Sequence, residues 1–351
     1  MKDTNLIIGK QNTGKTTKFL FNEVNNAIKN NENLCIFDTR DEYYINFSKE
    51  LKENDYNVLV LNLNDVIQSN GYNPLLLPYL LYKEGNLDLA VSMISDLALE
   101  IFKEEKAMDP FWENMAANYF SGLVLILFKE AKLEEINLGS IQVMMNQGEE
   151  KIDEITRLEK YLTTVDATSN IYSMLSAVVF APNETKGSII AVARQKLNAY
   201  FLREQLLNLL NTNEINLNEL SNKTAIFIIG KKAINAIANI FINQLIEISK
   251  YQYTYILDNF DELKRLINFE NLIKDASYEG NKVYAVAHNE EELKEKYNKY
   301  IIDNFQNIIY TNENNEIERS ISSLNDECIY PTLPRQEFNY INFKEIVNNL
   351  K

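Results

Sequence analysis

The sequence predicts an α/β protein in which a mostly parallel sheet flanked by helices is interrupted by an all-helical domain. Short apolar runs alternate with amphipathic helical patterns over the first 84 residues, as they do in βαβ units. From about residue 87 to 210 the apolar side chains recur every three or four positions, which favours helices. Strand-like runs resume after residue 223, so a helical insertion between two halves of one sheet explains this order most simply.

The individual elements follow from these patterns. Apolar runs at 5–9 (NLIIG), 34–38 (LCIFD) and 58–63 (VLVLNL) are typical of buried parallel strands, and helical patterns at 15–29 and 42–53 separate them. Helices are predicted at 87–102, 110–128, 138–147 and 188–210, with no strand in that stretch. Further strands are predicted at 224–230 (TAIFIIG), 254–260 (TYILDNF), 282–288 (KVYAVAH) and 307–312 (NIIYTN). We therefore predict a sheet-containing domain formed by 1–84 and 213–351, and an inserted all-helical domain formed by 85–212.

Composition limits the class of protein. The 351 residues are 46% hydrophobic and 24% charged, as in ordinary globular proteins. The net charge of −15 argues against a protein that simply coats nucleic acid, although a local basic channel on an acidic body stays open. No apolar run approaches the roughly 20 residues of a membrane-spanning helix. Two cysteines outside any CxxC pattern and a lone histidine argue against zinc and fit a reducing, cytoplasmic compartment.

Residues 9–16 (GKQNTGKT) satisfy every position of the phosphate-loop pattern GxxxxGK[ST], between a predicted strand and a predicted helix. Glycines let backbone N–H groups surround phosphate oxygens, and the helix N-terminus adds its positive dipole end. The pattern assigns the Lys15 ammonium to the β/γ-phosphates and the Thr16 hydroxyl to Mg²⁺. A chance match in a glycine turn is the alternative. The residues predicted to bind ATP with Mg²⁺ are Gly9, Asn12, Thr13, Gly14, Lys15, Thr16 and Thr17.

A second acidic motif is expected where a buried strand ends near the metal. The strand-like run at 253–258 (YTYILD) ends in Asp258, which is the predicted partner of Thr16 in holding Mg²⁺, through water. The alternative is that Asp258 caps the helix that follows.

Several further segments occur in a characteristic order. These are residues 38–42 (DTRDE), 73–75 (NPL), 109–112 (DPFW) and 185–189 (TKGSI), followed by Leu293 and Tyr297. In this order and spacing they resemble the type IV secretion coupling proteins, which are TraG/TraD-like members of the FtsK/HerA group of DNA-pumping ATPases. The family has an Asp-Pro-Lys-Gly-Glu motif where this chain has residues 38–42.

The resemblance implies an ATP-driven motor with a RecA-like nucleotide domain and an all-alpha domain. It also implies a ring-like homo-oligomer, commonly a hexamer, that acts in conjugation with DNA or a relaxase–DNA complex and with type IV secretion components at the membrane. Because no transmembrane segment is predicted in this chain, we expect it in the cytoplasm or peripherally at the inner face of the membrane.

Three departures from the family fall where hydrolysis is arranged. Asn259 stands where the family has a water-polarising Glu, His288 where it has a sensor glutamine, and Ser277 where it has an arginine. An amide can orient water but cannot take its proton. Binding is therefore better supported than turnover. The candidate catalytic residues are Asp258, Glu42, Asn259 and His288.

Other groups could compensate for these departures. Glu42, Asp261 and Glu262 are candidate acids, although exposed acids at helix starts explain them as well. Arg194 and Arg203 are candidate arginine fingers or solvated helix-face residues.

Two other functions stay open. One is a nucleotide-binding regulatory or adaptor protein without significant turnover, which the departures and the acidity favour. The other, a small-molecule P-loop kinase, would need a basic lid, and the sequence has no Arg-rich segment to supply one.

Overall fold

The computed structural model describes residues 3–10, 14–104, 109–230, 235–263, 265–297, 300–311 and 329–350. The strands are β1 (Thr4–Ile8), β2 (Asn33–Asp38), β3 (Asn57–Asn62), β4 (Lys151–Ile152), β5 (Ile155–Thr156), β6 (Thr224–Ile229), β7 (Tyr253–Leu257), β8 (Lys282–Ala287) and β9 (Asn307–Tyr310). The helices are α1 (Phe21–Lys29), α2 (Glu42–Glu53), α3 (Leu76–Lys83), α4 (Leu87–Phe102), α5 (Phe111–Glu130), α6 (Leu138–Gly148), α7 (Arg157–Leu162), α8 (Asn170–Val179), α9 (Asn183–Phe201), α10 (Glu204–Asn211), α11 (Asn235–Ile248), α12 (Phe269–Glu279), α13 (Glu290–Lys296) and α14 (Phe343–Asn348). A π-helical turn over Lys15–Leu20 precedes α1.

One large sheet carries the fold. Among the described strands it has seven members in the order β3-β6-β2-β7-β8-β1-β9, and every neighbouring pair is parallel. The predicted fold class, a mostly parallel sheet flanked by helices together with a helical domain, is confirmed. Position 312, the last residue of the predicted final strand, lies outside the described residues. Because parallel strands end at the same edge, the residues that follow β1, β2, β7 and β8 gather there, where ligands of open α/β sheets bind.

Helices α1 and α2 bury apolar faces against this sheet. Val24 and Ile28 of α1 and Phe47 of α2 join a core cluster with Phe227 of β6 and Val286 of β8, and all of them are buried. Burying a side chain of this size stabilises a fold by roughly 1.5–3 kcal/mol. The core therefore fixes the position of α1, which follows the phosphate-loop pattern and the π-helical turn, and the position of α2.

The chain divides into two compact units. One consists of residues 1–70 and 215–333, and the other of 71–214 and 334–351. These bounds differ from the predicted ones at three boundaries, which lie at 70 rather than 84, at 214 rather than 212 and at 333 rather than 351. The helix α3 belongs to the helical unit because it packs against α4. The C-terminal segment also belongs there, because Phe343 of α14 packs on Tyr161 at 5.6 Å between ring centroids.

The two chain segments that open and close the helical insertion are tied together within the helical unit. The Gly71 backbone N–H donates to Glu214 Oε2 at 2.7 Å. The buried Asn73 side chain donates to Asn213 Oδ1 at 2.9 Å and to the Ile136 carbonyl at 2.6 Å. Asn73, part of the NPL segment, therefore serves to anchor the base of this unit.

The prediction that 87–210 contains no strand is wrong in one detail. Strands β4 and β5 form a two-residue antiparallel hairpin, whose turn places Asp153 at φ 58°. Strands of two residues are too short to show the alternation by which a strand is predicted. The helix predicted at 188–210 also begins earlier, after Pro182, and is divided into α9 and α10.

Among the helices that the structure describes, none combines the length and the apolar composition that spanning a bilayer requires.

Candidate nucleotide-binding site

The glycine loop begins where β1 ends. The Gly9 backbone N–H donates to the Ala287 carbonyl at 3.1 Å, which holds the loop against the end of β8. A Cβ at Gly9 would lie 1.9 Å from Thr311 Oγ1, so no side chain fits there. Gly14 has φ 79°, a left-handed conformation that glycine adopts without strain, and the π-helical turn starts directly after it. Both glycines are therefore required by the local geometry.

The Lys15 side chain is buried and turned back onto the loop. Its Nζ donates to the Gly9 carbonyl and, at 2.9 Å, to the Lys10 carbonyl. Burial lowers the pKa of Lys15, while the carboxylates of Asp258 and Asp261 act in the opposite direction. An ammonium held by neutral carbonyls in a buried position gains more from anionic phosphate oxygens than an exposed one would.

Asp258 follows β7 and meets the end of the glycine loop. Its Oδ2 accepts hydrogen bonds from Thr16 Oγ1 at 2.9 Å and from the Tyr43 hydroxyl at 3.0 Å. Its Oδ1 accepts the Asn259 backbone N–H at 3.0 Å. Burial raises the pKa of Asp258, and these three donors oppose that rise. A hydroxyl and a carboxylate this close are the oxygen ligands that Mg²⁺ prefers, so the donor set fits that ion.

Asp38, at the end of β2, shapes the start of α2. Its Oδ1 accepts the backbone N–H groups of Arg40 and Glu42, and its Oδ2 those of Tyr43 and Tyr44. Burial raises the pKa of Asp38 to about 7, against the effect of the backbone donors from Tyr44 and Arg40. The first Asp of the DTRDE segment therefore caps a helix and aims Tyr43 at the site. The Glu42 carboxylate is 43% exposed and lies 3.9 Å from Arg40 Nη1.

Asn259 is buried and fixed in a left-handed conformation with φ 53°. Its side-chain Nδ2 donates to Thr39 Oγ1 at 2.7 Å. Asn is one of the few residues that adopt this backbone conformation readily. The amide group thus joins the residue after β2 to the residue after Asp258, across the same edge of the sheet.

His288 follows β8 and pairs with Asp261, which lies in a short 3-10 turn after β7. His288 Nδ1 lies 2.9 Å from Asp261 Oδ2 and 3.1 Å from Oδ1. The His288 backbone N–H also donates to Oδ2 at 2.9 Å. Sequence patterns identified both residues as candidates but did not indicate that they contact each other. The contact could have been predicted from the order of the strands, since the two residues follow the adjacent strands β7 and β8.

The predicted roles of three phosphate-loop residues are not tested by the contacts that the structure describes. Asn12 and Thr13 lie outside the described residues. Thr17 is exposed on the π-helical turn. The assignment of these three residues to ATP stays a prediction.

Of the remaining candidates, Ser277 belongs to α12, and Arg194 and Arg203 belong to the helical unit. Ser277 Oγ accepts a hydrogen bond from Gln306, which precedes β9, so Ser277 lies at the opposite edge of the sheet from Lys15. Arg194 Nη1 donates to Asn146 Oδ1 at 2.7 Å within the helical unit, and Arg203 is exposed. Tyr43 is the site residue that sequence reasoning missed, because nothing in its local pattern distinguishes it from a core tyrosine.

The chain is similar to one known protein family. The sequence profile of the type IV secretory system conjugative DNA transfer family matches residues 5–324. No curated protein matches the chain.

Three similar solved structures are two of the plasmid coupling protein TrwB and one of VirB4. The plasmid coupling protein TrwB in complex with the non-hydrolysable ATP analogue ADPNP is 13% identical, over 87% of this chain and 70% of that one, with a TM-score of 0.60. TrwB in complex with ADP and Mg²⁺ gives the same four values. VirB4 of Thermoanaerobacter pseudethanolicus is 11% identical, over 88% and 76%, with a TM-score of 0.53. At these identities the likeness establishes the fold.

Proposed function

The chain belongs to the type IV secretory system conjugative DNA transfer family, and from this premise we propose that it is a coupling-protein-like motor ATPase. It uses ATP with Mg²⁺ to move DNA during conjugation, and it hydrolyses ATP slowly. The observation that carries the proposal is the hydrogen bond between Thr16 and Asp258 beside the buried Lys15, because these three groups have the chemistry to hold a metal-bound triphosphate.

The roles of the site residues follow from their chemistry. The loop from Gly9 to Thr17 binds the phosphates, and the Lys15 ammonium exchanges its carbonyl partners for β- and γ-phosphate oxygens. Thr16 and Asp258 would hold Mg²⁺, and the bound ion would neutralise negative charge on the phosphates. TrwB structures with ADPNP and with ADP and Mg²⁺ support these ligands.

Slow hydrolysis is proposed because the family's water-polarising Glu is replaced by Asn259. Its amide donates to Thr39 and cannot accept a proton in any case. Losing a positioned general base slows a reaction by roughly 10²–10⁴-fold. Glu42 is an alternative base, but its carboxylate is 43% exposed beside Arg40.

The partners are proposed from family membership. They are further copies of this chain in a ring such as a hexamer, DNA or a relaxase–DNA complex, and type IV secretion components. The protein acts in the cytoplasm, at the inner face of the membrane. A ring would gather the scattered basic residues of an acidic chain around one channel.

Phosphate release measured with and without DNA tests the motor. We expect slow ATP hydrolysis that DNA stimulates and that Lys15→Ala abolishes. A protein that binds ATP but shows no DNA-stimulated turnover, in a state shown to be assembled, contradicts the motor.

A second candidate function is a nucleotide-binding regulatory or adaptor protein without turnover. The buried hydrogen bond from Asn259 to Thr39 favours it, because it fills the catalytic position with a group that cannot act as a base. This candidate predicts that ATP binding alone changes assembly or partner binding. Identical behaviour with ATP and with a non-hydrolysable analogue would support it over the motor.

A further inference from the structure

Asp261 and His288 form a carboxylate–imidazole pair at the carboxyl-terminal edge of the sheet. Both carboxylate oxygens lie within hydrogen-bonding distance of His288 Nδ1, at 2.9 and 3.1 Å. The Asp261 side chain is 3% exposed and the His288 side chain 21% exposed. The pair is therefore enclosed at its carboxylate and accessible at its imidazole.

The carboxylate determines which ring nitrogen of His288 carries the proton. An ionised carboxylate only accepts hydrogen bonds, so the neutral imidazole must donate from Nδ1. Its Nε2 then has a lone pair and can accept a proton. No described residue hydrogen-bonds to Nε2. A carboxylate that fixes the tautomer of a histidine in this way prepares it to act as a base.

The sheet order sets the position of the imidazole. Strand β8 lies between β7 and β1. His288 follows β8, so it lies between Asp258, which follows β7, and Gly9, which follows β1. The Gly9 N–H bonds to Ala287, the residue just before His288. The Asp261 carboxylate is also close enough to Lys15 to influence the pKa of that ammonium.

We propose that His288 is the general base for the attacking water and that Asp261 is its positioning residue, an inference that rests on the proposed function. The water oxygen bonds to the γ-phosphorus while the bond from that phosphorus to the β,γ-bridging oxygen breaks, and its electron pair stays on ADP. The water proton passes to His288 Nε2, and the Asp261 carboxylate stabilises the imidazolium. The proton then leaves to solvent, so the products are ADP, phosphate and a proton.

Other charged groups surround the pair. Lys296 of α13 donates to the carbonyls of Asp261 and Leu263, the latter at 2.5 Å, which holds the turn in place. Glu290, at the start of α13, is engaged by Lys294 and Tyr310. The ammonium of Lys15 interacts electrostatically with the carboxylates of both Asp258 and Asp261. Of these groups, Asp261 is the one that contacts the imidazole directly.

The tautomer can be read directly because His288 is the only histidine in the chain. We expect the ¹⁵N spectrum of histidine-labelled protein, above the pH range in which imidazoles titrate, to show a protonated Nδ1 and an unprotonated Nε2. In Asp261→Asn the backbone N–H of His288 should donate to the oxygen of the new side-chain amide. The NH₂ group of that amide then faces His288 Nδ1. The imidazole should therefore switch to the Nε2–H form. A wild-type protein in the Nε2–H form overturns the proposal.

Hydrolysis provides the second measurement. Single-turnover phosphate release is measured for the wild type and for both variants at one pH. Asp261→Asn and His288→Gln should each lower the rate at least roughly tenfold and leave ATP affinity unchanged. Gln is the residue that the resembling family has at this position. Asp88→Asn, the same exchange at an exposed acid in the first turn of α4, is the matched control and should behave as the wild type.

The outcomes separate this proposal from the function on which it rests. Wild-type hydrolysis that both variants retain at an unchanged rate overturns the dyad and leaves the motor intact. A wild type that binds ATP through Lys15 but never hydrolyses it overturns both. In an Asn259→Glu background, His288→Gln should cost less than threefold, because the new carboxylate supplies the base. A full loss there would show that His288 acts only as structure.

Discussion

Asn259→Glu places a carboxylate at the position where the resembling family has one, and the structure allows its cost to be worked out. The substitution removes the buried hydrogen bond to Thr39, a loss of about 0.5–1.5 kcal/mol. It also puts Glu at φ 53°, where a residue other than Gly or Asn costs about 1–2 kcal/mol. The variant should therefore lose roughly 2–3 kcal/mol of unfolding free energy. For a domain of this size, that lowers the melting temperature by about 5–10 °C.

The same substitution should raise hydrolysis. A positioned general base contributes roughly 10²–10⁴-fold, and we expect at least about tenfold because Ser277 still stands where the family has an arginine. The assay is single-turnover phosphate release, read beside a thermal melt. Asn259→Gln is the matched control, since it has the same length and the same backbone strain but no base. The reasoning is refuted if Asn259→Gln raises the hydrolysis rate as much as Asn259→Glu does. It is also refuted if a folded Asn259→Glu variant hydrolyses ATP at the wild-type rate.

Further predictions concern the phosphates, the metal and DNA. Lys15→Ala should lower ATP affinity at least tenfold, about 1.4 kcal/mol, by calorimetry; equal affinities would contradict the phosphate-loop assignment. Tyr43→Phe removes a hydrogen-bond donor to the buried Asp258, so it should weaken ATP binding about tenfold in the presence of Mg²⁺ but not in the presence of a chelator. The control is Tyr44→Phe, which should bind ATP as the wild type does, because the Tyr44 hydroxyl donates to a backbone carbonyl and not to Asp258. Equal Mg²⁺ dependence in the two variants would remove Tyr43 from the site. Binding of single- or double-stranded DNA, followed by fluorescence anisotropy, should be weak, steeply salt-dependent and stronger with a non-hydrolysable ATP analogue; indifference to the analogue in assembled protein would count against a ring.

Most of the sheet was predictable because its five inner strands are buried on both faces over nearly their whole length. A continuous apolar run such as 224–229 predicts a buried strand without any knowledge of the strands beside it. The helix α2 was predicted with its observed bounds. The two-residue hairpin of β4 and β5 was not predictable, since its stability depends on the surrounding helices. The assignment of α14 to the helical unit depends on the packing of Phe343 against Tyr161, a contact between residues far apart in sequence.

The parts of the site that were predictable are those whose function is evident from a single short segment of sequence. Residues 9–16 carry their own pattern, and Asp258 follows an apolar strand, so both were found from sequence. The contact of the Tyr43 hydroxyl with Asp258 joins residues more than 200 positions apart, and it depends on how Asp38 caps α2. The pairing of Asp261 with His288 likewise requires the order of β7 and β8 in the sheet. Sequence patterns show which residues follow strands, and the strand order shows which of those residues meet.

The strand order has a consequence for biosynthesis. Among the described strands, no two of β1, β2 and β3 are neighbours in the sheet. Strand β1 pairs with β8 and β9, and β2 and β3 both pair with β6. No part of the sheet can form on the ribosome until β6 has emerged, after the whole helical insertion. About 160 residues separate β3 from β6, which corresponds to roughly 10–30 seconds of synthesis. During that interval three apolar segments, including the one that leads into the phosphate loop, stay unpaired. The nascent chain should therefore depend on chaperones that shield its first 70 residues until the later strands arrive.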